Sequence, residues 1–163
     1  MSDHSSIDLV HVIGALAAGG AERFVIDLVR GLSERGWNIR VLALSARSDA
    51  TREAMESQLT STGVAFGIGP SARLGIRTVL WYGRQLARYR PMIVHLHTAN
   101  TEFAHALAIP WHHNRPLLVR TLHNTRLSLG LRERIAMRSL PVTRSIACGD
   151  AAGQGPVPGL LHS

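Results

Sequence analysis

The sequence predicts an α/β fold in which helices cover both faces of an open parallel sheet. Short runs rich in β-branched residues alternate with longer segments of helical periodicity along most of the chain. The 163 residues, 45% of them hydrophobic, suffice for one globular domain but not for two of ordinary size. We therefore expect one domain over residues 1–150 and an irregular tail over residues 151–163, where GQGPVPGLLHS shows neither period.

The first predicted unit is a strand, a glycine-rich loop, a helix and a second strand. The strand IDLVHVI covers residues 7–13, and the second strand, NIRVLAL, covers residues 38–44. The helix between them runs from Ala21 to Arg35, and Gly36 ends it as a C′ glycine. One face of this helix is apolar, which predicts that it packs on the sheet through Phe24, Val25, Leu28, Val29 and Leu32.

The alternation continues to the end of the predicted domain. The later helical segments are REAMESQLTSTG, ARLGIRTVLWYGRQLARYR, TEFAHALAI and RERIAMRSL, and the later strands are VAFGI, PMIVHLHT, PLLVRTLH and TRSIACG. Six strands separated by helices favour a parallel sheet with right-handed crossovers. Ligands of such sheets bind beyond the carboxyl ends of the strands, so residues that directly follow strands are the candidates for a site.

The charge of the chain is strongly asymmetric. The net charge is +7, and all 18 basic residues are arginines. Residues 1–72 carry 6 Arg against 8 Asp and Glu, whereas residues 73–163 carry 12 Arg against 3. The absence of lysine excludes a Walker-type phosphate loop and Schiff-base catalysis. The sign of the charge alone does not distinguish between nucleic acid, an anionic membrane and a phosphorylated substrate as the partner. Of these three partners, we do not expect nucleic acid.

The compartment is predicted from cysteine usage and from the N-terminus. Cys148 is the single cysteine, which excludes an internal disulfide and fits a reducing compartment. The opening MSDHSSIDLVHVI carries acids rather than the basic region of a secretory signal, and no stretch reaches the roughly 18 apolar residues of a membrane span. We expect a cytoplasmic protein.

A glycine-rich loop separates the first strand from the first helix. Gly19 and Gly20 stand directly before the helix, where backbone N–H groups converge on an anion at the positive end of the helix dipole. The alternative, a tight turn with no ligand, is at least as well supported by a glycine pair alone. The spacing from Gly14 is not that of a G-x-G-x-x-G loop, and no acid ends the second strand, so a nicotinamide dinucleotide is not expected.

Histidines follow two of the predicted strands. His95 and His97 alternate in VHLHT and therefore leave the strand on one face, and His123 follows another strand in VRTLHNT. Three histidines at one rim could ligate zinc, but no Cys, Asp or Glu accompanies them closely. We expect no metal and interpret them as neutral hydrogen-bonding groups. For His123 the alternative is a loop histidine that caps the turn at Asn124 and Thr125.

An arginine stripe marks the long helical segment in the middle of the chain. Arg73, Arg77, Arg84 and Arg88 lie on one helical face at spacings of 4, 7 and 4, with no acid among them. Such a face suits anionic lipid headgroups. A solvated face on a helix that packs against the sheet is the alternative, and the sequence alone favours it.

Several of these segments together resemble a known family. HVIGALAAGGAERFVIDLVRGLSERGWNIRVLAL resembles the opening of family 4 glycosyltransferases of the GT-B fold, which runs strand, GGAE loop, helix, R-G, strand. RPMIVHLHT is similar to the family's "P-D-hydrophobic-V-H-x-H" strand, VRTLHNT to its "T-x-H-N/G-T" strand end, and SIACGDAA loosely to "I-A-C/V-S-E". The resemblance runs from about Ile7 to Asp150 and implies the Rossmann-like N-terminal half of a GT-B fold.

The resemblance implies a reaction and a set of site residues. It implies that a sugar passes from a nucleotide-sugar, the co-substrate, to an acceptor, with retention of configuration and without a metal or other cofactor. The basic charge of the second half of the chain suggests a lipid-linked or phosphorylated acceptor, and a glycan is the alternative. Gly19 and Gly20 would then lie near the donor diphosphate, and His123 would be the catalytic residue beside the transferred sugar and the acceptor hydroxyl. The acceptor cleft would be formed by His95, His97, Asn124 and Thr125.

The chain departs from the family pattern in two places. Gly149 and Asp150 stand where the family usually has Ser and Glu, which argues against a role there. No Glu-x7-Glu pair, the mark of the donor domain, occurs in the 163 residues. We therefore expect either a truncated transferase or the acceptor subunit of a split enzyme, completed by a separate donor-domain chain. The alternative from another class is a non-enzymatic module that binds an anionic polymer or the inner face of a membrane.

Overall fold

The computed structural model describes residues 7–16, 20–45, 50–111, 115–122 and 140–147. Strands and helices alternate through these residues, as the sequence predicts. The helices are α1 (Gly20–Ser33), α2 (Ala50–Ser61), α3 (Ile76–Tyr89) and α4 (Ala99–Ala108), and a 3-10 turn, Ile109–Trp111, follows α4. The strands are β1 (Leu9–Ala15), β2 (Ile39–Ser45), β3 (Ala65–Ile68), β4 (Ile93–Leu96), β5 (Leu117–Leu122) and β6 (Arg144–Ala147). The helix predicted from RERIAMRSL lies, except for Leu140, outside the described residues.

The six strands form one parallel sheet in the order β3-β2-β1-β4-β5-β6. The chain moves outward from β1 through β2 to β3, and then returns to place β4 on the other side of β1. This reversal makes the carboxyl ends of β1 and β4 the topological switch point, where open α/β sheets bind their ligands. The predicted fold class, a Rossmann-like open parallel sheet, is confirmed.

Hydrophobic residues pack on both faces of the sheet. Alternation along β1 sends Leu9 and Ile13 to one face and Val10 and Val12 to the other. On the first face they meet residues of α1 and α2, including Val29. On the second face they meet α3 and α4, through residues that include Tyr82, Leu86 and Ala104. Helices thus cover both faces, as the sequence predicts.

The helix α1 differs in detail from the predicted one. Its buried centre consists of Val25, Ile26 and Val29, whereas Phe24 and Leu28 are only half-buried. The face of α1 that packs on the sheet is therefore rotated toward Ile26 relative to the predicted face. The prediction did not include Ile26 among the packing residues. A turn follows the last helical residue, and Gly36 has the positive φ of 84° expected at the end of a helix.

Candidate functional site

Two helices begin at the switch point of the sheet. After β1, the helix α1 begins at Gly20, which is exposed, and a Cβ atom built there would meet nothing within 4 Å. The space that a side chain at Gly20 would occupy is therefore open. Gly19, predicted beside it, lies outside the described residues, and phosphate binding at this loop stays a prediction.

The second helix start, that of α4, is held by a capping box. Thr98 directly follows His97, and its Oγ1 accepts a hydrogen bond from the backbone N–H of Thr101. The hydroxyl of Thr101 in turn accepts one from the N–H of Thr98, at 3.1 Å. An ideal Cβ on Gly14 would lie 3.6 Å from Oγ1 of Thr98, so the end of β1 and the start of α4 are adjacent. The positive end of α4 therefore lies beside the carboxyl end of β1, the strand that precedes α1.

A layer of buried polar side chains lies under this edge, on the sheet face of α1. His11 in β1 is in register with His95 in β4. Nδ1 of His11 lies 3.0 Å from Nε2 of His97, and the ring centroids of His95 and His97 are 4.1 Å apart. Nε2 of His95 lies 2.6 Å from Oγ1 of Thr121 in β5. The exposed fraction is 0% for His11, 4% for His95 and 1% for His97. A chain of polar contacts thus crosses three neighbouring strands.

The protonation of this layer follows from its burial. Desolvation, followed by repulsion from His95, lowers the pKa of His11 from 6.5 to about 3. His11 is therefore a neutral imidazole at neutral pH, and in its contact with His97 one ring donates and the other accepts. Among the described residues, no group forms a hydrogen bond with the buried Nε2 of His11.

The structure brings together some of the predicted site residues. His95 and His97 share one face, as predicted, but both are buried rather than exposed at an open rim. The acceptor contact predicted for them stays a prediction. His11 was missed because a lone histidine inside the apolar run LVHVI is typical of a strand interior. The signal that reveals it is the β1–β4 register.

Three predicted site residues and one further candidate segment lie outside the described part of the chain. His123, Asn124 and Thr125 follow β5 in the sequence and lie outside the described residues, as does the segment from Cys148 to Asp150. The contacts that the family resemblance implies for these three residues remain predictions.

A buried ion pair lies on the opposite face of the sheet. Arg120 in β5 is 3% exposed, and its Nη1 lies 3.7 Å from Oε2 of Glu102 in α4. Nε of Arg120 also donates a hydrogen bond of 2.8 Å to Oγ of Ser145 in β6. One guanidinium thereby connects a helix and two strands. Its burial favours a structural role.

The arginine stripe lies on the outer face of α3 and just before that helix. The prediction of one helical face is wrong for Arg73, because α3 begins only at Ile76. The inner face of α3 is buried through residues that include Val79, Tyr82 and Leu86. Ile76, beside the stripe, is 66% exposed. The four arginines of the stripe are also exposed: Arg73, Arg77, Arg84 and Arg88. This arrangement is consistent with both alternatives, a solvated face and a face that binds anionic lipid. None of the helices in the described part of the chain is long and apolar enough to cross a membrane.

Comparisons with known proteins agree with this architecture. The family model for Glycosyltransferase Family 4 matches residues 18–150. HepE of Anabaena, solved with UDP and glucose, is 16% identical, with a TM-score of 0.69 over 95% of this chain and 43% of that one. The lipopolysaccharide outer core galactosyltransferase WaaB is 10% identical, with a TM-score of 0.69 over 95% of this chain and 44% of that one.

A third similar structure is a putative UDP-N-acetylglucosamine 2-epimerase from Listeria monocytogenes. It is 14% identical, with a TM-score of 0.58 over 96% of this chain and 44% of that one. No curated protein matches the chain. The chain spans less than half the length of each of these three structures, and at such identities the likeness shows the fold alone. The family model covers most of the sequence, and the chain therefore belongs to glycosyltransferase family 4.

Proposed function

We propose that this chain is the acceptor-side half of a retaining glycosyltransferase, which transfers a sugar from a nucleotide-sugar to a lipid-linked or glycan acceptor. Membership of family 4 and the fold shared with HepE, a protein solved with UDP-glucose, support the proposal. The observation that carries it is that two helices, α1 from Gly20 and α4 after Thr98, begin after β1 and β4, the neighbouring strands of the switch point. The nucleotide-sugar is the co-substrate, and transfer itself needs no further cofactor.

The start of α1 is suited to the donor diphosphate. Gly20 is exposed, and the space that its side chain would fill is open, so a phosphate can approach the backbone closely. Negative charge grows on the diphosphate as the sugar departs. Backbone N–H groups at a fixed helix end stabilise such charge in the transition state.

The acceptor is proposed to lie beyond the ends of β4 and β5. The family motif assigns His123 to the transferred sugar and the acceptor hydroxyl, and β5 ends at Leu122, directly before it in the sequence. Beneath these strand ends, the contact between His95 and Thr121 ties β4 to β5. Such a tie favours a fixed separation between the acceptor and the glycine loop, which transfer between two bound substrates needs.

Sugar transfer by this chain is proposed to need a donor domain. The chain covers 43% of HepE, and a cleft with two walls both orients the substrates and excludes water. A separate chain that carries the donor domain is one source of the second wall.

The acceptor is proposed to reside at an anionic membrane surface. The four arginines of the stripe are exposed, α3 contains no acid, and Ile76 extends an apolar side chain beside them. A basic residue near an anionic bilayer contributes about 1 kcal/mol of binding. The stripe therefore gives peripheral attachment at the inner face of a membrane, which would bring the crevice to lipid-linked acceptors.

Saturation-transfer NMR with UDP-glucose tests the donor part of the proposal. Gly20→Val should reduce the transfer signal of the nucleotide protons, because the added side chain fills the space over the start of α1. Gly75→Val is the matched control. Gly20 is the first residue of α1 and Gly75 directly precedes α3, and a Cβ on either glycine meets nothing within 4 Å. Equal signals from both variants, or no signal from the unaltered chain at millimolar ligand, would contradict donor binding at this loop.

A further inference from the structure

We propose that His11, His95 and His97 form a buried binding site for a first-row transition-metal cation, with zinc as the best match. One nitrogen of each ring lies within 4.8 Å of the others. The three residues come from two paired strands and the residue that follows one of them, so the sheet itself fixes their backbones. The proposal concerns this cluster alone and does not rest on the proposed function.

The separations suit three imidazole ligands after a small adjustment. Two nitrogens bound to one tetrahedral zinc ion lie about 3.4 Å apart, since each Zn–N bond is about 2.0–2.1 Å. Nδ1 of His11 and Nε2 of His97 are 3.0 Å apart, so an ion would take the place of the proton that these rings share. No pair exceeds 4.8 Å, so the widest separation must shorten by no more than about 1.4 Å.

The hydrogen bonding of His95 resembles that of metal-bound histidines in known sites. A histidine that ligates a metal usually engages its other ring nitrogen with a protein group, which fixes the ring orientation. Nε2 of His95 is engaged in this way by the hydroxyl of Thr121, at 2.6 Å. The proposal therefore assigns Nδ1 of His95 as its ligand atom.

The chemistry of the cluster selects the class of cation. Neutral imidazole is the form of histidine that binds metals, and three buried imidazoles lie close together here. Among the described residues, the metal-binding group consists of histidines alone, without a carboxylate. Magnesium and calcium require oxygen ligands, whereas zinc, copper, nickel and cobalt accept imidazole. Three histidines leave a fourth position for water or an anion.

This inference revises the sequence prediction of no metal. That prediction considered His95, His97 and His123 without a further donor nearby. The β1–β4 register adds His11, which supplies the third ligand from within the described residues. A bound ion would join β1 to β4 at the switch point, so its expected role is to stabilise the sheet there.

The test is metal binding by the chain purified without a histidine tag and stripped with a chelator. Cobalt is the first probe, because tetrahedral Co²⁺ with nitrogen ligands absorbs strongly in the visible range, and zinc should then displace it at one equivalent. The chain contains 9 histidines, so the site must be separated from weak surface binding. His11→Asn and His97→Asn should weaken zinc binding by at least about tenfold.

His105→Gln is the matched control. His105 is also buried, but it lies in α4 on the other face and contacts the hydroxyl of Tyr82 through Nδ1 at 2.8 Å. The His105→Gln variant should bind zinc with the same affinity as the unaltered chain. Thr121→Val keeps all three ligands and removes only the group that orients His95, and it should weaken binding by about tenfold.

X-ray absorption of the unaltered chain with one equivalent of zinc keeps the proposal testable if the histidine variants do not fold. Three imidazole nitrogens at about 2.0 Å are expected. An absorption spectrum with oxygen ligands only, no stoichiometric cobalt or zinc, or equal affinity in the His11, His97 and His105 variants would overturn the proposal.

Discussion

His11 and His97 connect β1 to the end of β4 through ring nitrogens only 3.0 Å apart, although 86 positions separate them in the sequence. Both rings are buried, so water does not replace this contact when His11 becomes protonated. The protonation of His11 is therefore coupled to the stability of the fold.

Acid should destabilise the protein through His11. Its pKa is about 3 in the folded chain and about 6.5 when unfolded, so the unfolded state binds more protons between these values. Stability contributed by the neutral ring is fully present above pH 6.5 and is lost as the pH falls toward 3. The expected loss is about 1.4 kcal/mol per pH unit within that window.

Urea unfolding of the metal-free chain at a series of pH values measures this effect. His11→Asn should flatten the slope of the unfolding free energy against pH, because the group that takes up the proton is gone. Identical slopes for the unaltered chain and the variant would show that other groups cause the acid sensitivity.

Gly69→Ala should strongly destabilise the fold. A Cβ on Gly69 would lie 2.3 Å from the carbonyl oxygen of Leu44, a backbone atom that cannot rotate away. The backbone N–H of Gly69 also donates to the carbonyl of Ala43 at 2.8 Å, so the segment has no freedom to retreat. We expect a loss of about 3 kcal/mol in the free energy of unfolding. Gly75→Ala, which meets open space, is the control, and a similar loss in both would refute this explanation.

Glu102→Ala should destabilise the chain by leaving the buried charge of Arg120 without its carboxylate. Breaking a buried ion pair costs about 3–5 kcal/mol, and we expect the lower end because Arg120 keeps its bond to Ser145. Asp27→Ala is the comparison, since its pair with Arg30 is exposed and contributes less than about 1 kcal/mol. Chemical denaturation of both variants measures the difference; equal midpoints would count against a role for Glu102.

The arginine stripe should bind anionic vesicles. Changing Arg73, Arg77, Arg84 and Arg88 to Gln should abolish sedimentation with phosphatidylglycerol vesicles, and high salt should do the same to the unaltered chain. The control changes three exposed arginines on and after α1 to Gln, namely Arg23, Arg30 and Arg35. A similar loss in the control would show that total charge, rather than the stripe, attracts the vesicles.

The local periodicity of the sequence was enough to predict the helices and strands. The features that the sequence did not predict depend on pairing between distant segments. Each described strand and helix was predicted within a few residues, because alternation and helical spacing are properties of short segments. The strand order and the position of His11 depend on which strands pair across long sequence separations. Likewise, Glu102, Arg120 and Ser145 are ordinary residues in their own segments, and only the pairing of β5 with β6 and the packing of α4 unite them.

The return of the chain from β3 to β4 also bears on how the protein folds during synthesis. The strands β1, β2 and β3 with α1 and α2 can pair as soon as they leave the ribosome, but the other edge of β1 then has no neighbour. Until residue 97 emerges, His11 lacks His97, and half of the sheet exposes an unpaired strand edge. Nascent chains at this stage present that edge to chaperones and to one another, so the interval before β4 docks is when aggregation competes most strongly with folding.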